Sequence, residues 1–194
     1  MKSKPKTRPR QPKIALKSIK VNLGLSEETF CFTATLWVDG KRFGEIKNHG
    51  HGGPDDVYPK SGNYDDVNAL AMRVRETFPR ICTEEDDPPI IQANFPEGLA
   101  ASLESVCSEL ISDHLMAQDL KRLLRTNYLA KRISGGGVFQ WKKRDFGMGE
   151  VGGTKKRGAI CAFELMARHK GYQPLNSLPF DEALAIFKTE GAKR

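Results

Sequence analysis

The chain has 194 residues, of which 39% are hydrophobic and 28% charged, and it carries a formal net charge of +7. This composition excludes a wholly disordered chain and predicts a soluble globular protein. No apolar run approaches the ~18 residues that a membrane helix needs, and no apolar stretch of signal-peptide length follows the basic start. A cytoplasmic protein without a membrane partner is therefore expected.

The positive charge is concentrated in two segments. Residues 1–13 contain six basic side chains, no acid and three prolines, which predicts a disordered basic arm before a single domain of residues 14–194. Residues 14–118 hold 9 basic and 17 acidic side chains, whereas residues 119–157 hold 11 basic and 3 acidic ones. Such basic blocks attract polyanions, and a solvated charged surface is the alternative interpretation.

The first part of the domain has the pattern of an antiparallel meander. Residues 14–22 alternate like a strand, with a slip at Ser18. Residues 29–38 form the clearest alternating strand, and Asp39-Gly40 directly after it is a strong hairpin signal. Residues 41–47 then return as a third strand. A loop rich in Gly, Pro and Asp follows at residues 48–62.

The rest of the chain is mainly helical, with one hairpin. Asn63 can cap a helix that ends before Pro79, and an acidic linker is expected at residues 80–97. Further helices are predicted at 98–125, 159–170 and 179–189, and glycines join the predicted strands 128–133 and 138–142. The expected fold class is α+β: a β-meander and a later β-hairpin packed with about four helices.

The four cysteines are widely spaced, which argues against a zinc ribbon or a disulfide framework. Cys107 and Cys161 fall within helical patterns and are expected to be small buried hydrophobic residues. Cys31 and Cys82 carry no local signature of a catalytic thiol.

The loop at residues 48–56 contains a cluster of candidate metal ligands, whereas the acidic run at residues 84–87 is more typical of a solvated linker. Nitrogen and oxygen ligands are provided by His49, His51, Asp55 and Asp56. A turn built on glycines and local Asp hydrogen bonds is the alternative, as is a loop that contacts a ligand without a metal.

A glycine-rich basic loop lies just before the helix predicted at 159–170. It matches G-x-G-x-x-G at Gly147, Gly149 and Gly152, but it does not follow a strand of a βαβ unit. Glycine backbone amides and a helix start favour a phosphate, and a solvated loop is the alternative. The candidate phosphate-binding residues are Gly152, Gly153, Thr154, Lys155, Lys156 and Arg157.

The predicted hairpin and the helix before it contain cations interleaved with aromatic residues, a pattern that suits a phosphate backbone with stacked bases. Aromatic residues that simply form the core of the hairpin are the alternative, and the cations are the stronger candidates. The candidate ligand-binding residues are Arg122, Arg125, Lys131, Arg132, Trp141, Lys142, Lys143 and Arg144.

Three short segments resemble small uncharacterised proteins of phages and mobile elements over about residues 14–58. The segments are Ser26-Glu27-Glu28-Thr29, Val38-Asp39-Gly40-Lys41 and Asn48-x-Gly50-His51-Gly52-Gly53. The resemblance implies an accessory or host-interaction role and brings no activity, site or cofactor with it.

Together these patterns predict a binding protein rather than an enzyme, with no cofactor. Its expected partner is nucleic acid or another phosphate-bearing ligand, bound through residues 121–157 with help from the arm. One alternative is a protein–protein interaction module of a mobile element that acts on a host protein. The other is a metal-dependent enzyme that uses the 49–56 loop.

Overall fold

The computed structural model describes residues 10–80, 99–146 and 163–191, and these residues form an α+β fold, as the sequence predicts. The chain divides into two compact units, Met1–Ser112 and Asp113–Arg194. A four-stranded antiparallel sheet belongs to the first unit and a three-stranded antiparallel sheet to the second. Within the described residues, no helix combines the length and the apolar character needed to cross a membrane.

The first sheet is the predicted meander with one more strand. Its strands are β1 (Ile14–Val21), β2 (Phe32–Val38), β3 (Lys41–Asn48) and β4 (Asp56–Pro59), paired in that order. Asp39 and Gly40 have φ values of 51° and 80° and form the expected two-residue turn between β2 and β3. Positive φ at both central residues suits the right-handed twist of the flanking strands. Strand β4 lies where the sequence predicts a loop.

The slip at Ser18 is a β-bulge. Lys17 pairs with Thr35 and Lys20 pairs with Thr33, so two residues of β1 lie opposite one residue of β2. Ser18 takes up the extra residue with a φ of 52°. The bulge keeps Ile14, Leu16, Ile19 and Val21 less exposed than the residues between them, although their spacing is irregular.

The buried face of the first sheet carries the core of this unit, including Phe32, Leu36 and Ile46. Helix α1 (Tyr64–Thr77) contributes Leu70 and Val74 to the buried residues. It begins as predicted, because the Asn63 side chain accepts a hydrogen bond from the Asp65 N–H at 3.1 Å.

Part of the predicted arm is held by the first unit. Pro12 is buried, the Lys13 N–H donates to Asp39 Oδ1 at 3.0 Å, and Arg73 Nε donates to the Arg10 carbonyl at 3.0 Å. The Lys13 hydrogen bond and the Arg73 guanidinium hold the pKa of Asp39 below its ordinary value of 3.8. Residues 1–9 of the arm lie outside the described residues.

The second unit contains the predicted hairpin. Helix α2 (Leu103–Thr126) begins before the unit boundary and leads into β5 (Asn127–Arg132), which pairs with β6 (Val138–Lys142). Residues 163–169 form helix α3. Strand β7 (Tyr172–Pro174), which the sequence does not predict, adds to the other edge of β5, and helix α4 (Phe180–Glu190) follows.

Both faces of the second sheet are covered. Tyr128 and Ala130 pack with Phe163 and Ala167 on one face, and the rings of Tyr128 and Phe163 stack with centroids 4.7 Å apart. The opposite face carries a second apolar cluster, whose buried members are Leu120, Leu129, Val138, Leu175, Ala183 and Phe187. Strand β5 therefore buries three consecutive residues instead of alternate ones.

Candidate functional site

The loop at residues 48–55 is organised by the side chain of Asn48, which is only 6% exposed. Its Oδ1 accepts from Thr29 Oγ1 at 2.8 Å and from the Gly50 N–H at 2.7 Å. Its Nδ2 donates to the Gly53 carbonyl at 2.9 Å and to Asp55 Oδ1 at 3.0 Å. One buried amide thus uses both donors and both acceptor positions to fix the loop.

The segment before β2 closes onto this loop through Gly50. The Gly50 carbonyl accepts from the N–H groups of Glu27 and Glu28 at 2.9 and 3.1 Å. Glu27 Oε2 also lies 3.1 Å from His51 Nδ1. Two of the three segments that carry the resemblance, 26–29 and 48–53, are therefore hydrogen-bonded to each other.

The four candidate metal ligands have different partners. His49 Nε2 lies 3.8 Å from Asp56 Oδ2, whereas His51 contacts Glu27 and Asp55 contacts Asn48. Across residues 10–80, 99–146 and 163–191, no three His, Cys, Asp or Glu side chains form a group that could hold a metal ion. The contacts of this loop are those of the alternative interpretation, a structural turn.

The surroundings of the Asp55 carboxylate disfavour its negative charge. Its Oδ2 is buried and has no hydrogen-bond partner. Burial raises the pKa of Asp55 above 3.8, and the negative charges of Glu104 and Asp56 raise it further, whereas the Asn48 hydrogen bond lowers it. Burial, with Asp55 and Glu104, also raises the pKa of the Cys107 thiol to about 12, so Cys107 is the inert buried residue that the sequence predicts.

We expect the Asp55→Asn substitution to raise the free energy of unfolding more at about pH 7 than at about pH 3. Wild-type Asp55 ionises more readily in the unfolded chain than in the folded one, so the folded state loses stability as the pH rises from 3.8 through the raised pKa. Asparagine has no such penalty and still accepts from Asn48. Urea denaturation at both pH values measures the effect.

Glu76→Gln, which removes an exposed carboxylate of α1 that does not act on Asp55, is the control for the change in net charge. An Asp55→Asn effect on stability that is independent of pH would contradict the prediction.

The predicted cations of the second unit lie at opposite ends of β5. Lys131 and Arg132 are at its carboxyl end. At its amino end, Asn127 pairs with Lys142, and Lys143 Nζ donates to the Leu124 carbonyl at 2.7 Å. This hydrogen bond ties the turn at Lys143–Phe146 to the last turn of α2. We call the residues gathered here the basic end: Arg122, Arg125, Lys142, Lys143 and Arg144.

At the carboxyl end of β5, the cations are engaged within the unit. Lys131 Nζ forms a 2.7 Å ion pair with Glu190. The Arg132 guanidinium lies 5.7 Å from the Phe139 ring centroid and 5.8 Å from that of Tyr172.

Trp141 belongs to the aromatic cluster of the second unit. Its ring is half-buried, with its centroid 5.6 Å from that of Phe163 and 5.5 Å from that of Tyr172. This placement is the one that a core role requires. The glycine-rich loop candidates, Gly152 to Arg157, lie outside the described residues.

The outward face of the first sheet carries a group that the sequence did not single out. Lys17, Lys20 and Lys47 project from it together with Trp37 and Tyr58. The signal in the sequence is the alternation of β2, which puts Thr33, Thr35 and Trp37 on one face. The position of Lys20 on that face depends on the bulge, which a regular strand pattern does not reveal.

The resemblance to proteins of phages and mobile elements stays a prediction. The chain matches no protein-family model, and neither a curated protein nor a solved structure is significantly similar to it.

Proposed function

We propose that this protein binds nucleic acid through the basic end of the second unit. The observation that carries the proposal is the hydrogen bond from Lys143 to the Leu124 carbonyl. Because it joins the end of α2 to the turn after β6, cations that are 17 positions apart in the sequence, Arg125 and Lys142, come to one end of the hairpin.

The electrostatics of this region favour a polyanion. Arg125 and Lys142 are exposed. Arg122 forms a 2.9 Å ion pair with Asp119, but both side chains are more than half exposed, so water and salt screen the pair. The phosphates of a nucleic acid are a dense row of negative charges, and cations that neutralise them release counterions.

The test is binding of fluorescein-labelled single-stranded and duplex DNA, measured by anisotropy at a series of salt concentrations. We expect affinity to fall steeply with salt, with a log–log slope of about −0.7 per phosphate contacted on single strands and about −0.9 on duplex. The Arg125→Glu/Lys142→Glu variant should bind at least about tenfold more weakly and with a smaller slope.

The matched control is Arg168→Glu/Lys170→Glu, which changes the net charge equally. Both residues are exposed and lie beside Gly171, whose carbonyl accepts from the Ile133 N–H just past the carboxyl end of β5. Equal losses of affinity in the two variants would mean that only the net charge of the protein matters. That result would overturn the basic end as the binding surface. An affinity indifferent to salt, or a purified protein that retains only a protein partner after nuclease treatment, would overturn nucleic-acid binding.

A further inference from the structure

The exposed face of the first sheet is built of cross-strand rows that mix lysine, threonine and aromatic residues. Directly opposed residues in an antiparallel sheet project from the same face. One row therefore runs Lys20, Thr33, Lys47 across β1, β2 and β3 and ends at Asp56 of β4. The next row runs Lys17, Thr35, Glu45, Tyr58 across all four strands.

The two aromatic rings of this face lie under lysines. Lys17 Nζ is 3.6 Å from the centroid of the Trp37 ring, and Lys47 Nζ is 4.9 Å from that of Tyr58. Tyr58 is nevertheless 43% exposed. A lysine ammonium above a ring forms a cation–π pair whose energy at an exposed site is only about 0.5–1 kcal/mol. A flat nucleobase can therefore displace the lysine from the ring.

Two shallow clefts meet on the same face. One, of about 230 Å³, is lined by residues that include Asn22, Cys31 and His49, and the other, of about 260 Å³, by residues that include Ser18, Thr35 and Glu45. Both are lined in addition by Lys20, Thr33 and Lys47. The row that joins β1, β2 and β3 is thus the floor shared by the two clefts.

We infer that this sheet face is a second binding site, one that takes a single-stranded nucleic acid with its bases stacked on Trp37 and Tyr58. The inference rests on the proposed function for the class of ligand and adds the strand type and the surface. When a base stacks on a ring, the lysine above that ring is freed to contact the adjoining phosphate. Lys20 and the threonine hydroxyls then line the path of the backbone.

The charge and shape of the face favour a single strand. The face carries two carboxylates: Glu45 is paired with Arg42 at 3.0 Å, and Asp56 lies opposite Lys47, so Lys17 and Lys20 remain in excess. The Tyr58 hydroxyl, as a hydrogen-bond partner, and the Asp56 carboxylate raise the pKa of Lys47 above its ordinary value. Aromatic rings on an open sheet can stack only on bases whose faces are not already stacked on neighbouring bases, and inside a duplex those faces are covered.

The experiment uses tryptophan fluorescence, because the chain has only two tryptophans. Trp141→Phe leaves Trp37 as the single reporter, and the probe is an oligothymidylate of about 12 nucleotides. We expect saturable quenching with the single strand and little with a duplex of the same length. Tyr58→Leu should weaken single-strand binding by about tenfold, the loss of one stacked base. Lys20→Glu should weaken it as well.

Tyr64→Leu is the matched control, since Tyr64 is also an exposed tyrosine of the first unit, 59% exposed at the start of α1. It should bind like the parent, and thermal melting checks that each variant is folded. Equal losses in Tyr58→Leu and Tyr64→Leu, or equal quenching by duplex, would overturn the inference.

The two proposals fail in different ways. Binding that is lost in Arg125→Glu/Lys142→Glu while Trp37 fluorescence never changes overturns the sheet-face site and leaves the proposed function standing. Quenching that persists in that variant but is lost in Tyr58→Leu supports the sheet-face site and overturns the basic end. If this face bound a protein and the oligonucleotide did not quench Trp37 fluorescence, the inference would also be overturned.

Discussion

Replacing Asn48 by Ala lowers the free energy of unfolding by about 4 kcal/mol, the sum of four hydrogen bonds at ~1 kcal/mol each. The loss is large because the Asn48 amide is buried and one of its partners, the Gly50 N–H, is buried with it. The buried Gly50 N–H is left unpaired, the Gly53 carbonyl loses its protein donor, and the Asp55 carboxylate loses the hydrogen bond that offsets its burial. Urea denaturation followed by circular dichroism measures the change.

Asn22→Ala is the control. The Asn22 side chain is exposed and accepts from the Gly24 N–H at 3.1 Å, as the cap of a short 3₁₀ turn. Its removal should cost about 1 kcal/mol. A loss of stability in Asn48→Ala no larger than that in Asn22→Ala would show that the amide does not organise the loop.

The second large effect is expected at Gly50, where Ala should lower the free energy of unfolding by about 3 kcal/mol. Gly50 has a φ of 89°, a conformation that costs an L residue about 1–2 kcal/mol. A Cβ there would also run into the Leu25 carbonyl and the Cys31 side chain. The substitution therefore separates the segment before β2 from the loop at residues 48–55. Chemical denaturation gives the change.

Two other glycines separate the contributions. Gly40 also has a positive φ, of 80°, but a Cβ there would meet no atom within 4 Å, so Gly40→Ala should cost only the conformational part, about 1 kcal/mol. At Gly53 a Cβ would meet no atom within 4 Å and φ is not in the left-handed region, so Gly53→Ala should be close to neutral. If Gly50→Ala and Gly40→Ala were equally destabilising, the contact with Leu25 would carry no energy.

The fold follows from the sequence wherever the local pattern and the burial agree. Strand β2 alternates along its whole length and has one buried face, and Asn63 and Pro79 bracket α1. The pattern fails for the short elements. Strand β4 has four residues, one of them a proline, inside a glycine-rich loop, and β7 has three. Their hydrogen bonds to longer strands form them, and no local preference signals such pairing.

The candidate sites show a similar division. The predicted hairpin already separates Lys142 from Lys131 and Arg132, but the hydrogen bond from Lys143 to the Leu124 carbonyl, which adds the end of α2 to the basic end, becomes visible only in three dimensions. The importance of Asn48 could not be predicted, because an asparagine among glycines is typical of any turn. Its partners at residues 29, 50, 53 and 55 become visible only in three dimensions.

The irregularity at Ser18 makes β1 two half-strands that are out of phase with each other. Residues before it and residues after it each alternate correctly, but the second half is displaced by one position, and a single backbone torsion sets the displacement. A regular strand that kept Ser18 in the ladder would turn Ile19 and Val21 toward water and Lys20 toward the core, whereas removal of Ser18 would leave their faces unchanged. The common outer face of Lys17 and Lys20 therefore depends on the bulge at Ser18 and not on the length of the strand.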